Sequence, residues 1–175
     1  SYNGTISGGV NLDQAGFGAD GTCFDFAGGW ITAPGAPSSL TEWTVEAWIN
    51  WDVAKTSKSH IFGNDQGGWN DDVLFGIGVE GGSQGVPASN VGIIQQGSPD
   101  GPRDVGTEPL SHSVWHHVVA TGSELAGELK LYVDGVQVAI DSAPNDGMTL
   151  NGTGGIGSSS LYVGKDESCN RVFDG

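Results

Sequence analysis

The feature that most constrains the fold of this chain is Asp134-Gly135, which stands between two runs of alternating apolar and polar residues. This dipeptide favours a two-residue turn with positive φ at both positions, and such a turn joins neighbouring antiparallel strands. Opposed residues of an antiparallel pair point to the same face. The predicted register opposes Val133 to Val136, Leu131 to Val138 and Leu129 to Ile140, with Lys130, Tyr132, Gln137 and Ala139 on the other face. The six opposed apolar side chains would then need a second layer to cover them.

Alternation of the same kind recurs along the chain. In WTVEAWINW, residues 43–51, one face carries Val45, Ala47, Ile49 and Trp51, and the other carries Thr44, Glu46, Trp48 and Asn50. Helical periodicity is absent apart from a short polar candidate at residues 52–57, and loops rich in Gly, Asn, Asp and Ser separate roughly ten to thirteen short predicted strands. This pattern predicts an all-β fold: a two-sheet antiparallel β-sandwich of the jelly-roll type.

Composition narrows the class of protein and its partners. The chain has 175 residues, which fit a single domain with a real core. Its 21 acidic residues against 6 basic ones give a formal charge of −15, which argues against binding to nucleic acid or to an anionic membrane. No apolar run approaches the ~20 residues of a membrane span, so we predict no membrane insertion. Such an acidic chain suits a salty or extracellular setting, where salt screens charge and multivalent cations are available.

The two cysteines, Cys23 and Cys169, lie near opposite ends of the sequence. In an acidic, loop-rich chain they predict one disulfide that closes a long loop. The alternative is a pair of separate core thiols. No CxxC pair or Cys/His cluster indicates a zinc site.

A series of short segments carries a resemblance to a known family. In chain order the segments are NGTISGGV, CFDFAGGWITAP, WTVEAWINW, VWHHVVATG, the hairpin with YVDG, LYVGKD and FDG. Together they resemble the laminin-G-like, pentraxin-like group of concanavalin A-type jelly rolls, over nearly the whole chain. The resemblance implies a sandwich of two curved sheets that serves as a binding or adhesion module in larger secreted, cell-surface or viral-fibre proteins.

The resemblance also implies strands that this sequence lacks. Family members carry one strand before the NGT segment and another after the FDG segment. We therefore expect residues 1–175 to be a single laminin-G-like jelly-roll domain, a fragment of a longer chain that lacks one terminal strand at each end. The alternative is that another chain supplies the strand. Either reading predicts an unpaired, strand-shaped groove beside residues 161–164.

Acidic loops resemble the calcium site of the pentraxins. Calcium is bound by several oxygen ligands that converge from loops. The six candidate ligands are Asn70, Asp71 and Asp72 before one predicted strand, and Asp166, Glu167 and Asp174 near the end of the chain. The alternative is that these are ordinary loop acids. Cys169 and Arg171 interrupt the second group and depart from the family pattern.

A sugar-binding surface is predicted in the first of these loops. Trp69 stands in a Gly-rich acidic loop, where an exposed ring can stack on a sugar. Asn64 and Asp65 in the same loop can bond sugar hydroxyls. Trp30 follows two glycines and is a second aromatic candidate, but we expect it in the core.

Catalytic patterns are absent. Glycoside hydrolases need two carboxylates that flank the scissile bond, and Glu46 is the lone acid of its predicted strand. His116 and His117 are neighbours on one strand, so their side chains should point to opposite faces. We assign both histidines a structural role.

The sequence therefore predicts a non-enzymatic, extracellular binding or adhesion module. We expect calcium-dependent recognition of a glycan or protein at a loop rim, within a larger assembly of domains or subunits. The alternative is a structural unit of a filament, surface layer or phage appendage. A polysaccharide-degrading enzyme is the least favoured interpretation.

Overall fold

The computed structural model describes residues 4–18, 21–33, 42–51, 59–63, 73–77, 90–95, 103–123, 125–142, 161–164 and 173. Every regular element in this part of the chain is a β-strand. The strands are β1 (Thr5–Ser7), β2 (Val10–Ala15), β3 (Thr22–Phe26), β4 (Trp30–Ala33), β5 (Glu42–Ile49), β6 (Ser59–Gly63), β7 (Val73–Ile77), β8 (Asn90–Gln95), β9 (Arg103–Pro109), β10 (His116–Ser123), β11 (Glu128–Val133), β12 (Val136–Ser142) and β13 (Leu161–Val163). No helix long and apolar enough to cross a membrane occurs in the described ranges.

The strands form antiparallel sheets that pack on a shared core. A seven-stranded sheet has the order β1-β4-β13-β6-β7-β8-β9, a four-stranded sheet has the order β12-β11-β10-β5, and β2 pairs with β3. Phe75 and Ile93 of the first sheet and Leu129 and Leu131 of the second are fully buried in one cluster. The all-β class is confirmed, and the arrangement is consistent with a concanavalin A-like jelly roll.

The predicted turn at Asp134-Gly135 is confirmed, because both residues have positive φ, at 50° and 80°. Asp tolerates this left-handed conformation better than most residues, and Gly adopts it without strain. Val133 opposes Val136, as predicted. The conformation of the turn therefore follows from the φ preferences of Asp134 and Gly135 themselves.

The rest of the predicted hairpin register is wrong. The pairing shifts between Leu131 and Tyr132, so that Leu131 opposes Ala139 and Lys130 opposes Ile140. This β-bulge adds one residue to β12 and reverses its alternation from that point. Leu129, Leu131 and Val133 are buried, but Val136, Val138 and Ile140 are 63%, 44% and 46% exposed. The six apolar side chains thus do not form one buried face. The three on β11 are buried and the three on β12 are exposed.

Strand β5 has the predicted faces. Trp43 and Ile49 are buried, and so is Trp51 just after the strand, whereas Thr44 and Glu46 are exposed. The strand begins at Glu42, one residue earlier than predicted. Glu42 therefore joins the face of Glu46, and the prediction that Glu46 is the lone acid of its strand is wrong.

Strand β13 is paired on both sides. Val163 opposes Ile31 of β4 and Phe62 of β6, so the groove predicted beside residues 161–164 is absent there. The strand lies inside the seven-stranded sheet. The expectation of a fragment that lacks terminal strands stays a prediction.

Candidate functional site

The predicted loop sites lie outside the described residues. These are Asn64, Asp65, Trp69, Asn70, Asp71, Asp72, Asp166, Glu167 and Asp174. Within the described ranges, no group of three or more His, Cys, Asp or Glu residues could hold a metal ion. The calcium and sugar sites at these loops stay predictions.

Cys23 has a free thiol in this structure. Its Sγ lies 3.4 Å from the carbonyl oxygen of Ala15, which accepts a hydrogen bond from it. Burial, followed by the negative charge of Asp25, raises the pKa of the thiol. Cys169 lies outside the described residues, and a disulfide between the two stays a prediction.

The described residues present a different candidate on the four-stranded sheet. One face of this sheet packs on the core, where Val118, Ala120, Leu129 and Leu131 have no exposed surface. Alternation directs the intervening side chains to the opposite face, which we call the outer sheet face. It comprises Glu42, Thr44, Glu46 and Trp48 of β5, His117, Val119, Thr121 and Ser123 of β10, and Glu128, Lys130 and Tyr132 of β11.

A groove of about 520 Å³ lies on this face at the Glu42 end of β5, and we call it the polar groove. It is lined by Glu42, Trp43, Thr44, Thr121, Gly122, Ser123, Ala126, Glu128, Lys130 and Tyr132. Ser123 Oγ donates a hydrogen bond to Glu42 Oε1 at 2.7 Å and accepts one from the backbone N–H of Ala126 at 3.0 Å. These bonds fix the hydroxyl and the carboxylate at one end of the groove.

Lys130 is held in the groove by a carboxylate on its own strand. Its Nζ lies 2.5 Å from Glu128 Oε2. The hydrogen bond to Glu128 raises the pKa of Lys130, so the ammonium group is charged throughout the physiological range. This ion pair lies two residues from Tyr132, whose ring adds an aromatic surface to the groove.

Trp43 determines the shape of this end of the sheet. Its indole lies directly over Gly122, the residue opposite it on β10. A Cβ at position 122 would lie 2.2 Å from Trp43 Cε2, which is closer than atoms can approach. Gly122 is therefore required for the indole to pack in this position.

An aromatic stack lies toward the other end of β5. The rings of Phe17 and Trp48 are 3.9 Å apart and within 14° of parallel, and those of Trp48 and His117 are 4.9 Å apart. His117 Nε2 lies 3.2 Å from Glu46 Oε2. Phe17 and Trp48 are still 54% and 47% exposed. The stacked rings thus cover this end of the outer sheet face and shield part of it from solvent.

Beside the stack lies a cavity of about 490 Å³, which we call the aromatic cavity. It is lined by Phe17, Gly21, Thr22, Cys23, Phe24, Phe26, Ala47, Trp48, Ile49, Asn50, Ile61, Trp115, Val163, Gly164 and Phe173. Its walls come from β3, the second half of β5, and residues around β13. Few of these side chains can form hydrogen bonds, so the cavity differs chemically from the polar groove.

The two histidines have separate bonding partners, as their predicted opposite orientations require. His116 Nδ1 lies 2.8 Å from Asp134 Oδ2, and the backbone N–H of His117 donates to Asp134 Oδ1 at 2.9 Å. The hydrogen bond from His116 is the main reason that the pKa of Asp134 is lowered. Asp134 therefore ties the turn of the hairpin to the start of β10. This arrangement fits a structural role for both histidines.

Two residues, one in the polar groove and one in the aromatic stack, do not follow from the predicted strands. Glu42 lies one residue before the predicted start of its strand. Phe17 stands in a Gly-rich segment, FGADG, with no strand pattern to indicate its partner. The first could have been found from the alternation at Glu42, whereas the second depends on tertiary contact.

Comparison with known proteins gives one family. A family model described as the concanavalin A-like lectin/glucanases superfamily matches residues 25–175. No curated protein sequence matches this chain.

Solved structures share the fold at low sequence identity. Domain 4 of AbnA, an extracellular arabinanase of Geobacillus stearothermophilus in complex with arabinotriose, has a TM-score of 0.65 and 17% identity over 98% of this chain and 77% of that one. Mouse laminin α1 domains LG4-5 have a TM-score of 0.56 and 17% identity, over 82% of this chain and 33% of that one. Tailspike protein 2 of an Escherichia coli O157:H7 bacteriophage has a TM-score of 0.66 and 11% identity, over 99% of this chain and 24% of that one. At these identities the likeness concerns the fold.

Proposed function

Because this chain belongs to the concanavalin A-like lectin/glucanases superfamily, we propose that it is a non-enzymatic, extracellular module that binds glycans in the polar groove. The family description includes both sugar-binding proteins and sugar-cleaving enzymes, so the chemistry of the groove residues must distinguish the two functions. A fold supports many functions, and the residues of the site carry the argument.

The observation that carries the proposal is the chemistry of the groove lining. Thr44, Thr121 and Ser123 offer hydroxyl groups, and Glu42 offers a fixed carboxylate. Sugars present hydroxyls that can bond to all of these groups. Tyr132 adds a ring on which the apolar side of a sugar can pack. A volume of about 520 Å³ lies within the usual range for small-ligand sites.

The bonding of the carboxylates supports binding over hydrolysis. Glu46 shares a face of β5 with Glu42, and its Oε2 lies 3.2 Å from His117 Nε2. Glu42 and Glu128 lie two strands apart across Ser123. Each is bound by a neighbouring side chain, Ser123 or Lys130, and so is already fixed as a hydrogen-bond acceptor.

A glycan array followed by calorimetry tests this proposal. Thr121→Val and Tyr132→Ala remove a hydroxyl and a ring from the groove, and each should weaken binding at least tenfold, or about 1.4 kcal/mol. Thr5→Val on β1 is the matched control outside the groove and should bind like the wild type. Equal affinity of all three variants would contradict the assignment of the groove. Release of reducing ends from the bound glycan would contradict the non-enzymatic role.

The calcium dependence is a separate part of the proposal. It rests on the acidic loops at Asn70, Asp71, Asp72, Asp166, Glu167 and Asp174. Ligand binding to the folded state raises Tm. Millimolar calcium should therefore raise Tm in the wild type and not in Asp71→Asn/Asp72→Asn. An unchanged Tm in the wild type would remove calcium from the proposal and leave the groove intact. The predicted alternative, an assembly unit completed by other subunits, stays a prediction.

A further inference from the structure

The polar groove carries an uncompensated negative charge among its described residues. Glu42 and Glu128 stand on the two outer strands of the groove, with Ser123 between them in the ladder. The ammonium group of Lys130 is bound to Glu128 at 2.5 Å. Glu42 has a neutral partner, the hydroxyl of Ser123. Of the three charged side chains that line the groove, one carboxylate is therefore left without a cation.

The surroundings of the groove add to this field. Glu46 lies on the same face of β5, two residues beyond Thr44, and is exposed. The chain as a whole has a formal charge of −15. Charges of one sign add to a potential that repels anions of the same sign before they make contact. An approaching anionic ligand thus meets repulsion both in the groove and around it.

We infer that the groove accepts uncharged glycans and rejects glycans that carry carboxylate or sulfate groups; this inference rests on the glycan-binding function proposed above. An uncharged sugar donates its hydroxyls to the fixed carboxylate of Glu42, a favourable charge-assisted bond. An acidic sugar would place a second anion beside the carboxylate of Glu42, and Lys130 cannot compensate for it because Lys130 is already paired with Glu128. Selectivity of this kind arises from repulsion of the wrong ligand as much as from attraction of the right one.

Matched pairs of glycans test the inference. Suitable probes are oligogalacturonides with their neutral methyl esters, and sialyllactose with lactose, on arrays and by calorimetry. For any pair that is bound, the neutral member should bind at least tenfold more tightly at low salt. The difference should narrow at high salt, because the screening length falls from about 30 Å at 0.01 M to about 3 Å at 1 M. Equal or tighter binding of the acidic member would overturn the inference.

The two proposals fail in different ways. Should no glycan of either kind bind in the groove, the glycan-binding function is wrong and the selectivity falls with it. Should neutral and acidic glycans bind the wild type equally well, and Thr121→Val or Tyr132→Ala weaken the binding of both, the function stands and the selectivity is wrong.

A variant that replaces both carboxylates of the groove provides the sharpest test. Glu42→Gln/Glu128→Gln keeps the hydrogen-bonding shape of both side chains and leaves Lys130 without its partner. Acidic glycans should then bind at least as tightly as their neutral counterparts. Asp25→Asn is the control, because Asp25 lies on β3, bonded to Asn11 and outside the groove. An unchanged preference in the double variant, or an equal change in Asp25→Asn, would overturn the inference.

Discussion

The polar groove and the aromatic cavity lie toward opposite ends of β5, and the chain builds them in different ways. The groove takes its lining from three strands that are neighbours in one ladder, β5, β10 and β11. The cavity takes its lining from β3, β5, β13 and residues elsewhere in the chain such as Phe17 and Phe173. Alternation along a strand is enough to place the groove residues on one face. The cavity exists only after distant parts of the chain have packed together.

One glycine in each region allows an aromatic ring to pack closely against the backbone. Replacing either glycine should have the largest effect on stability among the variants proposed below. Gly122→Ala would drive its Cβ into Trp43, and Gly164→Ala would place its Cβ 2.6 Å from Phe26 Cδ1 at a φ of +86°. We expect each to cost about 3 kcal/mol, because overpacking a buried ring forces neighbours to shift. For a domain of this size that lowers Tm by roughly 6–12 °C, measurable by calorimetry.

Gly28→Ala separates the backbone cost of Gly164→Ala from the cost of its contact with Phe26. Gly28 has a φ of +82° but nothing within 4 Å of the position its Cβ would take, so only the backbone cost of about 1–2 kcal/mol applies. Gly164→Ala should therefore be less stable than Gly28→Ala. Equal losses would show that Phe26 yields to the added methyl group.

The aromatic stack should contribute less to stability than the glycines, and nothing to glycan binding. Trp48→Ala removes ring contacts with both Phe17 and His117. We expect a loss of about 2 kcal/mol, since Trp48 is half exposed and each aromatic pair is worth about 0.5–1.5 kcal/mol. Urea unfolding measures this change. Calorimetry should give wild-type glycan affinity, and a loss as large as that in Tyr132→Ala would place the binding site at the stack instead.

The tie between the hairpin and β10 should have the smallest effect, and its effect should depend on pH. Asp134→Asn keeps the left-handed turn but loses the charge that accepts bonds from His116 and from the backbone of His117. Because Asp134 is half exposed, we expect a cost of about 1 kcal/mol.

The sign of the pH dependence follows from the lowered pKa of Asp134. Its contribution is complete above the pKa of an unfolded Asp, about 3.9, and disappears as the pH falls through the lower folded value. Unfolding curves of the wild type and Asp134→Asn should therefore converge in acid and stay separate near neutrality. A difference that persists unchanged at pH 2 would contradict a role for the charge.

The sequence reveals the fold where neighbouring residues determine it. The turn at Asp134-Gly135 and the two faces of residues 43–51 depend on φ preferences and on alternation, and both predictions are confirmed. The bulge opposite Leu131 was not predictable, because nothing in the alternating run of β12 indicates an extra residue. Tertiary packing favoured Ala139 over Val138 against the core, and the pattern does not show that preference.

The same reasoning explains which parts of the site could be predicted. The sequence predicts that Thr44 and Glu46 share one face of their strand, since strand parity places them together. The partnership of Phe17 with Trp48, and the closing of a cavity by Phe173, depend on segments far apart in the chain. Such contacts have no periodic signal in one sequence.

The bulge in β12 also affects how copies of the chain meet in solution. β12 is an edge strand of the four-stranded sheet, and it exposes Val136, Val138 and Ile140. A flat edge with apolar side chains is a template for adding strands from other molecules, and so for aggregation. The extra residue interrupts the regular alternation of this strand and increases the twist of the edge. A chain shortened by Val138 would regain a regular edge, and its solubility limit at high concentration should fall.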